Sequence, residues 1–331
     1  MFRKLGFGLD RLQKYRILNL FLVEQENLAN VVCMKTTALI LVQLVSWSVF
    51  AWGPVGHRTV GLIADANLTP IARTSVQQLL GGQKLADVVN WADEIKSGTT
   101  YLQTHYYHFE NIPDRVNYLQ HLQVMPPAQR ALGGVVEAII SCRDILRSPM
   151  RGLADKAVAL KFISHFIGDI HQPLHTGRPE DKGGVLIDVT WFGTPMSLHS
   201  IWDSGMLFTG HSDILNPQQT PEQSSIAYAQ YLVHLYAGRF IFVSSDIDTW
   251  TNESMVIRPE AYNPLYTQDQ KRYQSIHMVE IDQRILMAGL RLADTLNHIF
   301  ANAPIPAPEV TFRQQIESIV GDINRLISFR P

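Results

Sequence analysis

Apolar residues recur at helical spacing along most of the chain. The segments with this pattern are VGLIADANL, SVQQLL, KLADVVNWADEIK, ALGGVVEAIISCRDILR, DKAVALKFISHFIGDIHQ, SSIAYAQYLVHLYAGRFI and HMVEIDQRILMAGLRLADTLNHIF. Stretches rich in proline or polar residues separate several of them, at residues 113–115, 172–184 and 216–223. The pattern therefore predicts a mainly α, single-domain protein.

One segment departs from the helical pattern. Residues Val185–Phe192, VLIDVTWF, alternate apolar and polar positions and are rich in β-branched side chains, which favours a strand. Gly193-Thr194-Pro195 follows and is typical of a turn. We therefore predict a short β-hairpin beside the helices that carry most of the histidines.

The residues before Trp52 indicate a targeting segment. Residues 34–51 begin with Met-Lys, continue in a short apolar run and close on Val49-Phe50-Ala51. This is the pattern of a secretory signal peptide with a small-residue cleavage site. The apolar run is too short to cross a bilayer comfortably. We therefore predict cleavage between Ala51 and Trp52 and a secreted or periplasmic product without a transmembrane anchor.

The predicted cleavage divides the chain into four parts. Residues 1–33 form an upstream extension or follow a wrongly assigned start, and residues 34–51 form the signal peptide. Residues 52–303 form the folded domain, which is long enough to bury one large core. Residues 304–331 begin PIPAPEV and are expected to form a C-terminal extension.

Charge and cysteine content limit the classes of function. Residues 52–331 carry 22 Lys and Arg against 27 Asp and Glu, so the formal net charge changes from -2 to -5 on cleavage. The protein is therefore not a basic nucleic-acid coat, and an anionic substrate would depend on bound metal ions for local positive charge. Cys33 precedes the cleavage site, which leaves Cys142 without a disulfide partner. Cysteine is therefore not expected as a metal ligand.

Histidine and aspartate are concentrated in one stretch of the chain. His165 and Asp169 form an i,i+4 pair, and so do His199 and Asp203. On a helix this spacing places both side chains on one face. Imidazole with carboxylate is a ligand set for a borderline-soft divalent metal. Two such pairs, with His175 between them, predict a cluster of more than one metal ion and zinc-assisted hydrolysis.

A set of motifs resembles the zinc-dependent single-strand nucleases of the S-one/P-one type, which share a fold with bacterial zinc phospholipase C. The motifs are WGPVGH at 52–57, NWADEIK at 90–96, YHFENIPD at 107–114, FISHFIGDIHQPLHTG at 162–177, DKGG at 181–184, WFG at 191–193, LHSIWD at 198–203 and AGLRLADTLNHIF at 288–300. The joint pattern is highly specific, although no single motif is. The resemblance implies a helical phospholipase C/nuclease-type fold with a small hairpin near the metal cluster.

The resemblance also implies three zinc ions. One ion takes Asp93, His108, His165 and Asp169, a second takes Trp52, His57 and Asp169, and the third takes His175, His199 and Asp203. Asp169 would bridge a close pair of ions. Trp52 would bind through its free amino group and carbonyl, so this role depends on cleavage after Ala51.

Two further histidines lie close to the expected ligands. The segment THYYHFEN contains His105 and His108, and the family pattern of His-Phe before a short polar run selects His108. His171, counted from His165, falls on a different helical face. We therefore expect His171 to support the ligands rather than to bind metal.

The family chemistry implies a reaction for this chain. A zinc-activated hydroxide attacks phosphorus in line, and the third zinc neutralises charge on the phosphate. The resemblance implies cleavage of single-stranded DNA and RNA to 5′-phosphate products, and removal of phosphate from 3′-nucleotides. The expected catalytic residues are Asp93, Asp169 and Lys96. Lys96 lies one turn after Asp93 and would stabilise charge in the transition state.

Two residues after His108 are expected to hold a base. Phe109 occupies the position of the aromatic side chain that stacks on a base in the family. Asn111 occupies the position of an acid that hydrogen-bonds the base, and asparagine offers both a donor and an acceptor. Val185 follows the paired glycines, where the family tends to have asparagine. We expect these departures to change base preference and affinity and to leave the phosphate chemistry unchanged.

Other functions fit parts of the sequence. A zinc phospholipase C would use the same metals with an apolar, lipid-facing site, for which Trp191, Phe192 and Met196 are candidates. A secreted zinc-binding protein without catalysis is a second alternative, against which the complete ligand set and Lys96 argue. A ferritin-like di-iron bundle is excluded because no glutamate is followed by histidine three residues later. Nuclease and phospholipase remain open, and no stable protein partner is implied.

Overall fold

A computed structural model of the protein describes residues 52–96, 98–216, 218–237 and 246–301. The predicted extension 1–33, signal peptide 34–51 and C-terminal extension 304–331 lie outside these residues. The described part is mostly helical and contains a two-stranded antiparallel sheet, so the predicted fold class is confirmed.

The helices differ widely in length. The longer ones are α1 (Pro54–Asn67), α2 (Pro70–Leu79), α3 (Val135–Arg147), α4 (Leu153–Asp169), α5 (Pro221–Leu235), α6 (Ile247–Ala261) and α7 (Gln270–Phe300). Short α-helices span Leu85–Val88, Trp91–Ile95, Tyr118–Val124, Pro127–Arg130, Leu198–Ser200, Met206–Gly210 and Leu265–Gln268. Short 3₁₀ helices span Leu102–His108, Pro173–Thr176 and Pro179–Asp181, and a π-helical turn spans Ile201–Gly205.

Local capping explains where several helices begin and end. Prolines at the starts of α1 and α2 extend both helices ahead of the predicted apolar segments, because proline is pre-organised for the first helical turn. The hydroxyl of Thr69 accepts a hydrogen bond from the amide of Ala72 at the start of α2. α4 ends at Asp169, before the predicted end at Gln172, and the Gln172 side chain accepts a hydrogen bond from the amide of Leu174.

The apolar pattern did not reveal α6. Its buried residues are Ile247, Trp250, Thr251, Ser254, Arg258 and Ala261. Their spacing is helical, but half of them are polar, so a search for apolar periodicity misses the helix. The signal that identifies it is Asp246, whose carboxylate accepts hydrogen bonds from the amides of Asp248 and Thr249.

The predicted hairpin is present with different bounds. β1 spans Asp188–Trp191 and β2 spans Thr194–Ser197, with Thr190 opposite Pro195. The turn therefore lies at Phe192 and Gly193, whose φ angles of 43° and 88° are the left-handed conformation of a type I′ turn. The prediction that the strand starts at residue 185 and that Pro195 lies in the turn was wrong. A sheet of two strands has free edges, and a proline without an amide donor is tolerated there.

Close helix packing joins the first helix of the domain to helices from its carboxy-terminal part. α7 and α5 both pack along α1, and α3 packs along α4. A side-chain carbon on Gly289 of α7 would lie 2.6 Å from Ile63 of α1, so this approach requires glycine. The contact sets α1, which carries His57, against the rest of the core.

No helix in the described part of the chain is both long enough and apolar enough to cross a membrane.

Candidate metal centre

Buried histidines and aspartates form three groups. The groups are His57, His165 and Asp169; Asp93, His108 and His165; and His175, His199 and Asp203. They contain eight of the nine ligands that the family resemblance implies. The side chains come from α1, α4 and several short helices, so the groups assemble only when distant parts of the chain fold together.

Asp169 lies between the first two groups. Its Oδ1 atom is 3.2 Å from His57 Nε2, and its Oδ2 atom is 3.1 Å from His108 Nδ1. On α4, His165 Nε2 lies 3.3 Å from the same Oδ2, in agreement with the i,i+4 spacing. Because each carboxylate oxygen faces a different histidine, Asp169 has the geometry of a bridging ligand.

A glycine in α4 permits the approach of His57. A side-chain carbon at Gly168 would lie 2.7 Å from His57 Nδ1, which is too close for any other residue. The His57 ring stacks on His165 with 3.9 Å between the ring centroids. Gly168 was not singled out in the sequence, although its place directly before Asp169 is a signal that it serves the site.

Asp93 lies on the short helix Trp91–Ile95, and Lys96 directly follows that helix. Asp93 Oδ1 lies 3.6 Å from both His108 Nδ1 and His165 Nε2. Lys96 Nζ lies 2.9 Å from the same oxygen, and the lysine side chain is 18% exposed. The structure therefore places the Lys96 ammonium group against a carboxylate of the second group, and its catalytic role stays a prediction.

The third group is assembled from three short elements. His199 Nε2 lies 3.5 Å from Asp203 Oδ2, and His175 Nε2 lies 3.9 Å from Asp203 Oδ1. Asp203 belongs to the π-helical turn, so this i,i+4 pair does not lie on a regular α-helix as the spacing predicted. π-helical turns are frequent at functional sites because they re-aim a side chain. His175 Nδ1 is 4.0 Å from Asp169 Oδ1, so the third group lies next to the first.

Backbone carbonyls orient three of the histidine rings. His165 Nδ1 donates to the carbonyl of Val89 at 2.8 Å, and His199 Nδ1 donates to the carbonyl of Gly183 at 2.7 Å. His175 Nδ1 donates to the carbonyl of His108. These bonds fix the tautomer and leave Nε2 facing the cluster, which is how proteins prepare histidine for a metal.

Gln172 is a further residue that the sequence did not reveal. Its amide nitrogen donates to Asp203 Oδ1 at 2.7 Å, which orients that carboxylate. The available signal was its place in the QPLHTG stretch, directly before Pro173 and close to His175.

The groups fit a divalent metal. Among the described residues, several buried atoms of the predicted ligands have no hydrogen-bond partner. They are Trp52 Nε1, His57 Nδ1, His57 Nε2, His108 Nε2, Asp169 Oδ1, His175 Nε2 and Asp203 Oδ2. Such atoms are costly when they are left unpaired in the interior. Most of them converge within the three groups, where a cation would satisfy them, and a mixture of imidazole and carboxylate suits zinc.

Burial favours the neutral form of three of the histidines. It lowers the pKa of His57 to about 4, of His175 to about 3 and of His199 to about 4. A neutral imidazole is the form that binds metal. Burial also raises the pKa of Asp203 well above its usual value. A bound cation would favour the ionised form of this carboxyl group.

Opposite charges meet at His165. Burial alone would lower its pKa, but Asp169 and Asp93 outweigh burial and raise the pKa to about 10. Burial alone would raise the pKa of both aspartates, and His165 is the main charge that lowers them instead. A proton and a metal ion would therefore compete for His165, so metal binding there is expected to depend on pH.

Trp52 lies at the edge of the third group. Its side chain is fully buried, and the amide of the next residue, Gly53, donates to the carbonyl of Asp203 at 2.9 Å. The start of the folded domain is therefore held beside a predicted ligand. The proposed ligand role of the Trp52 amino group depends on cleavage after Ala51, which lies outside the described residues, and it stays a prediction.

His105 and His171, the two histidines near the expected ligands, differ in burial and in hydrogen bonding. His105 is exposed on the 3₁₀ helix Leu102–His108 and belongs to none of the three groups. His171 is fully buried, with Nδ1 donating to the carbonyl of Ile167 at 2.7 Å and Nε2 accepting from Arg291 Nη1 at 2.8 Å. Both ring nitrogens of His171 are used, so the structure assigns it a supporting role.

Phe109 and Asn111 follow His108 in an extended segment. Both are half-buried, whereas Glu110 and Ile112 between and after them are buried. This alternation places Phe109 and Asn111 on one side of the segment and the buried residues on the other. Both predicted base-binding residues are therefore held beside a group that contains His108.

The residues considered for a lipid-facing site do not form a common surface. Trp191 is 1% exposed and belongs to the core, and Met196 is half-buried with its sulfur close to Gly205. Phe192 is 42% exposed at the hairpin turn. Packing therefore accounts for two of the three residues.

A helical fold around buried groups of histidine and aspartate is the architecture of a metal-dependent hydrolase. Residues 52–301 match the family model described as S1/P1 Nuclease. Endonuclease 2 from Arabidopsis thaliana is 28% identical over 279 residues, which cover 76% of this chain and 92% of that protein. Nuclease S1 from Aspergillus oryzae (strain ATCC 42149 / RIB 40) is 31% identical over 230 residues, covering 68% and 75%. Nuclease P1 from Penicillium citrinum is 30% identical over 273 residues, covering 75% and 97%.

The chain belongs to the S1/P1 nuclease family. It is a metal-dependent hydrolytic endonuclease that acts on nucleic acid.

Proposed function

We propose that the protein is a secreted zinc enzyme that cleaves single-stranded DNA and RNA to 5′-phosphate products and removes phosphate from 3′-nucleotides. The observation that carries the proposal is the position of His108. It belongs to a metal group with Asp93 and His165, and the next residues along the chain are Phe109 and Asn111. Phosphate chemistry and base recognition would therefore be adjacent in one site.

Three zinc ions are the proposed cofactors. The first would be held by Asp93, His108, His165 and Asp169, the second by Trp52, His57 and Asp169, and the third by His175, His199 and Asp203. When bound, zinc lowers the pKa of water and neutralises charge on a phosphate. The lowered pKa values of His57 and His175 support this assignment. The contacts of Asp169 with both His57 and His108 support it as well.

The protein groups divide the remaining work. Asp93 and Asp169 hold the cluster together, and each contacts more than one histidine. Lys96 lies against Asp93 with part of its side chain in solvent, so its ammonium group can meet an anionic phosphate as charge develops. Phe109 would stack on a base and Asn111 would hydrogen-bond it.

Single-strand preference follows from this arrangement. Stacking on Phe109 needs a base with a free face, and bases in a duplex are already stacked and paired. A flexible single strand can present one base to Phe109 while its phosphate reaches the metal groups. The half-buried position of Phe109 supports this reading, because the ring retains solvent access.

One set of assays tests the proposal. Purified protein loaded with zinc is incubated with single-stranded DNA, the same sequence as a duplex, RNA, a 3′-mononucleotide and phosphatidylcholine. We expect hydrolysis of the single strands and the mononucleotide, loss of activity on chelation, recovery with zinc, and 5′-phosphate ends on the products. Hydrolysis of phosphatidylcholine alone would support the phospholipase alternative. Zinc binding without any hydrolysis would support the non-catalytic alternative.

A further inference from the structure

Two pieces of the sequence motifs have no task in the proposed reaction: Ile112-Pro113-Asp114 and the DKGG stretch at residues 181–184. Arg258 binds Ile112 and Asp114 directly. Asp181 of the DKGG stretch is linked to Asp114 through Tyr262 and Arg178. Arg258 lies on α6, and it is 3% exposed. A guanidinium group this deeply buried needs several acceptors to compensate for lost water, and those acceptors lie in the segments around the metal groups.

Arg258 joins two segments of the site. Its Nη1 atom donates to the carbonyl of Ile112 at 2.6 Å and to the carbonyl of Thr176 at 2.7 Å. Its Nη2 atom donates to Asp114 Oδ1 at 2.9 Å. One side chain therefore holds the end of the segment that carries Phe109 against the turn that carries His175.

Two backbone hydrogen bonds also join these segments. The amide of Glu110 donates to the carbonyl of His175 at 2.7 Å, and the amide of Ile112 donates to the carbonyl of Gly177 at 2.9 Å. His175 Nδ1 donates to the carbonyl of His108. A ligand of the third metal group and the proposed base-binding residues thus lie on two segments joined by backbone hydrogen bonds, and Arg258 joins the same segments at Ile112 and Thr176.

Asp114 extends the connection to the surface. Its Oδ1 atom accepts from Arg178 Nε at 3.2 Å, and its Oδ2 atom lies 3.0 Å from Arg178 Nη2. The Arg178 guanidinium lies over the Tyr262 ring, 4.0 Å from the ring centroid. Asp114 thereby forms ion pairs with two arginines at once, and it is itself about half exposed.

The same connection reaches the second ligand of the third group. The Tyr262 hydroxyl donates to Asp181 Oδ1 at 2.8 Å, and that oxygen also accepts from the amide of Gly184 at 2.7 Å. The carbonyl of the neighbouring Gly183 accepts from His199 Nδ1. We call the side chains of Asp114, Arg178, Tyr262, Asp181 and Arg258 the Asp114 clasp.

We propose that Arg258 and Asp114 are positioning residues that set the distance between the base-binding side chains and the third metal group, and that the Asp114 clasp is therefore a determinant of nucleotide recognition. The inference rests on the proposed function, because it assumes that Phe109 and Asn111 hold a base. A nucleotide with a 3′-phosphate spans both parts of the site, so its binding depends on this distance. A phosphate ester without a base contacts only the metal side.

The test compares substrates with and without a base. Asp114→Ala removes the partner of both arginines, Asp114→Asn keeps an oxygen but removes the charge, and Arg258→Lys keeps a buried cation with fewer directed donors. Asp155→Ala is the matched control, since its ion pair with Arg151 is exposed and 4.0 Å long. For each protein, KM and kcat are measured on a 3′-mononucleotide and on a base-free phosphate ester, together with zinc content and thermal midpoint.

We expect Asp114→Ala to raise KM for the 3′-mononucleotide by about tenfold with a smaller change in kcat, because misplacement of a binding group weakens binding of the whole substrate. KM for the base-free ester should change by less than about twofold. Asp114→Asn should be intermediate, and zinc content should stay at the wild-type value in both. Arg258→Lys should show the same split between substrates, and Asp155→Ala should show none.

Equal changes on both substrates, or a lower thermal midpoint without a change in KM, would overturn the positioning role. That result leaves the proposed function intact, since the wild-type protein would still hydrolyse nucleotides. Failure of the wild-type protein to hydrolyse nucleotides would overturn the proposed function itself and this inference with it. If Arg258→Lys does not fold, the half-exposed Asp114 variants still decide between these outcomes.

Discussion

Replacement of Asp169 by asparagine tests the bridge between the first two metal groups. Oδ1 of this residue faces His57 at 3.2 Å, and Oδ2 faces His108 at 3.1 Å. Asparagine has nearly the same size but carries no charge, and one of its two polar atoms is an NH₂ donor that cannot bind a cation. A single substitution should therefore weaken two ions at once.

The expected loss is large because Asp169 is a direct ligand. Loss of a residue that only orients a ligand costs about 10- to 100-fold in metal affinity. Loss of the shared carboxylate should cost at least about 100-fold for each of the two ions. The third group keeps His175, His199 and Asp203 as its ligands, and it should retain its zinc.

The assay is elemental analysis after dialysis against buffered zinc. Asp169→Asn should lose about two of the three equivalents, and His199→Ala should lose about one. Asp155→Asn, an exposed control on the same helix, should keep all of them. If Asp169→Asn and His199→Ala each lost a single equivalent, the bridging role of Asp169 would be refuted.

Three further predictions concern the base pocket, a buried acid and the chain start. Phe109→Ala should raise KM for 3′-nucleotides and single strands about tenfold, from stacking worth about 1–3 kcal/mol per base, and Asn111→Asp should change base preference without changing zinc content; equal slowing of a base-free diester would contradict the pocket. Burial raises the pKa of Asp65 from 3.8 to about 6. Its contribution to stability is therefore present below pH 4 and lost as pH rises through about 6, by about 3 kcal/mol. Denaturant unfolding at these pH values should show the loss as a change in the difference between the unfolding free energies of the wild type and Asp65→Asn. Sequencing of active protein should begin at Trp52, and an active enzyme that retains Ala51 would refute the Trp52 ligand role.

Much of the fold was predictable because most long helices have apolar buried faces. The exception is α6, where Thr251, Ser254 and Arg258 occupy buried positions. Polar residues there are stable only because other segments supply their partners. Ser254 donates to the carbonyl of Ile170, and Arg258 donates to carbonyls from two other segments. A pattern read along one segment contains no information about such partners.

Two buried arginines of α7 were missed for the same reason. Arg284 and Arg291 are seven residues apart on the buried side of the helix, and both bind Glu253. Arg284 also donates to the carbonyl of His171, between the ligands of α4 and His175. Arginine at the spacing of an apolar face was the available signal, because a cation is placed there only when it has partners.

The sequence by itself determined which side chains are candidate metal ligands. Residue type determines which atoms can bind a metal, and the i,i+4 spacing of His165 and Asp169 places both side chains on one face of a helix. Both are local properties of the sequence. Only the tertiary structure decided that Asp169 faces two groups, that the carbonyls of Val89 and Gly183 orient histidines, and that Arg258 joins the segments of Ile112 and Thr176. Backbone carbonyls are present at every residue, so their use leaves no mark in the sequence. It arises when segments far apart in the chain are brought within hydrogen-bond distance.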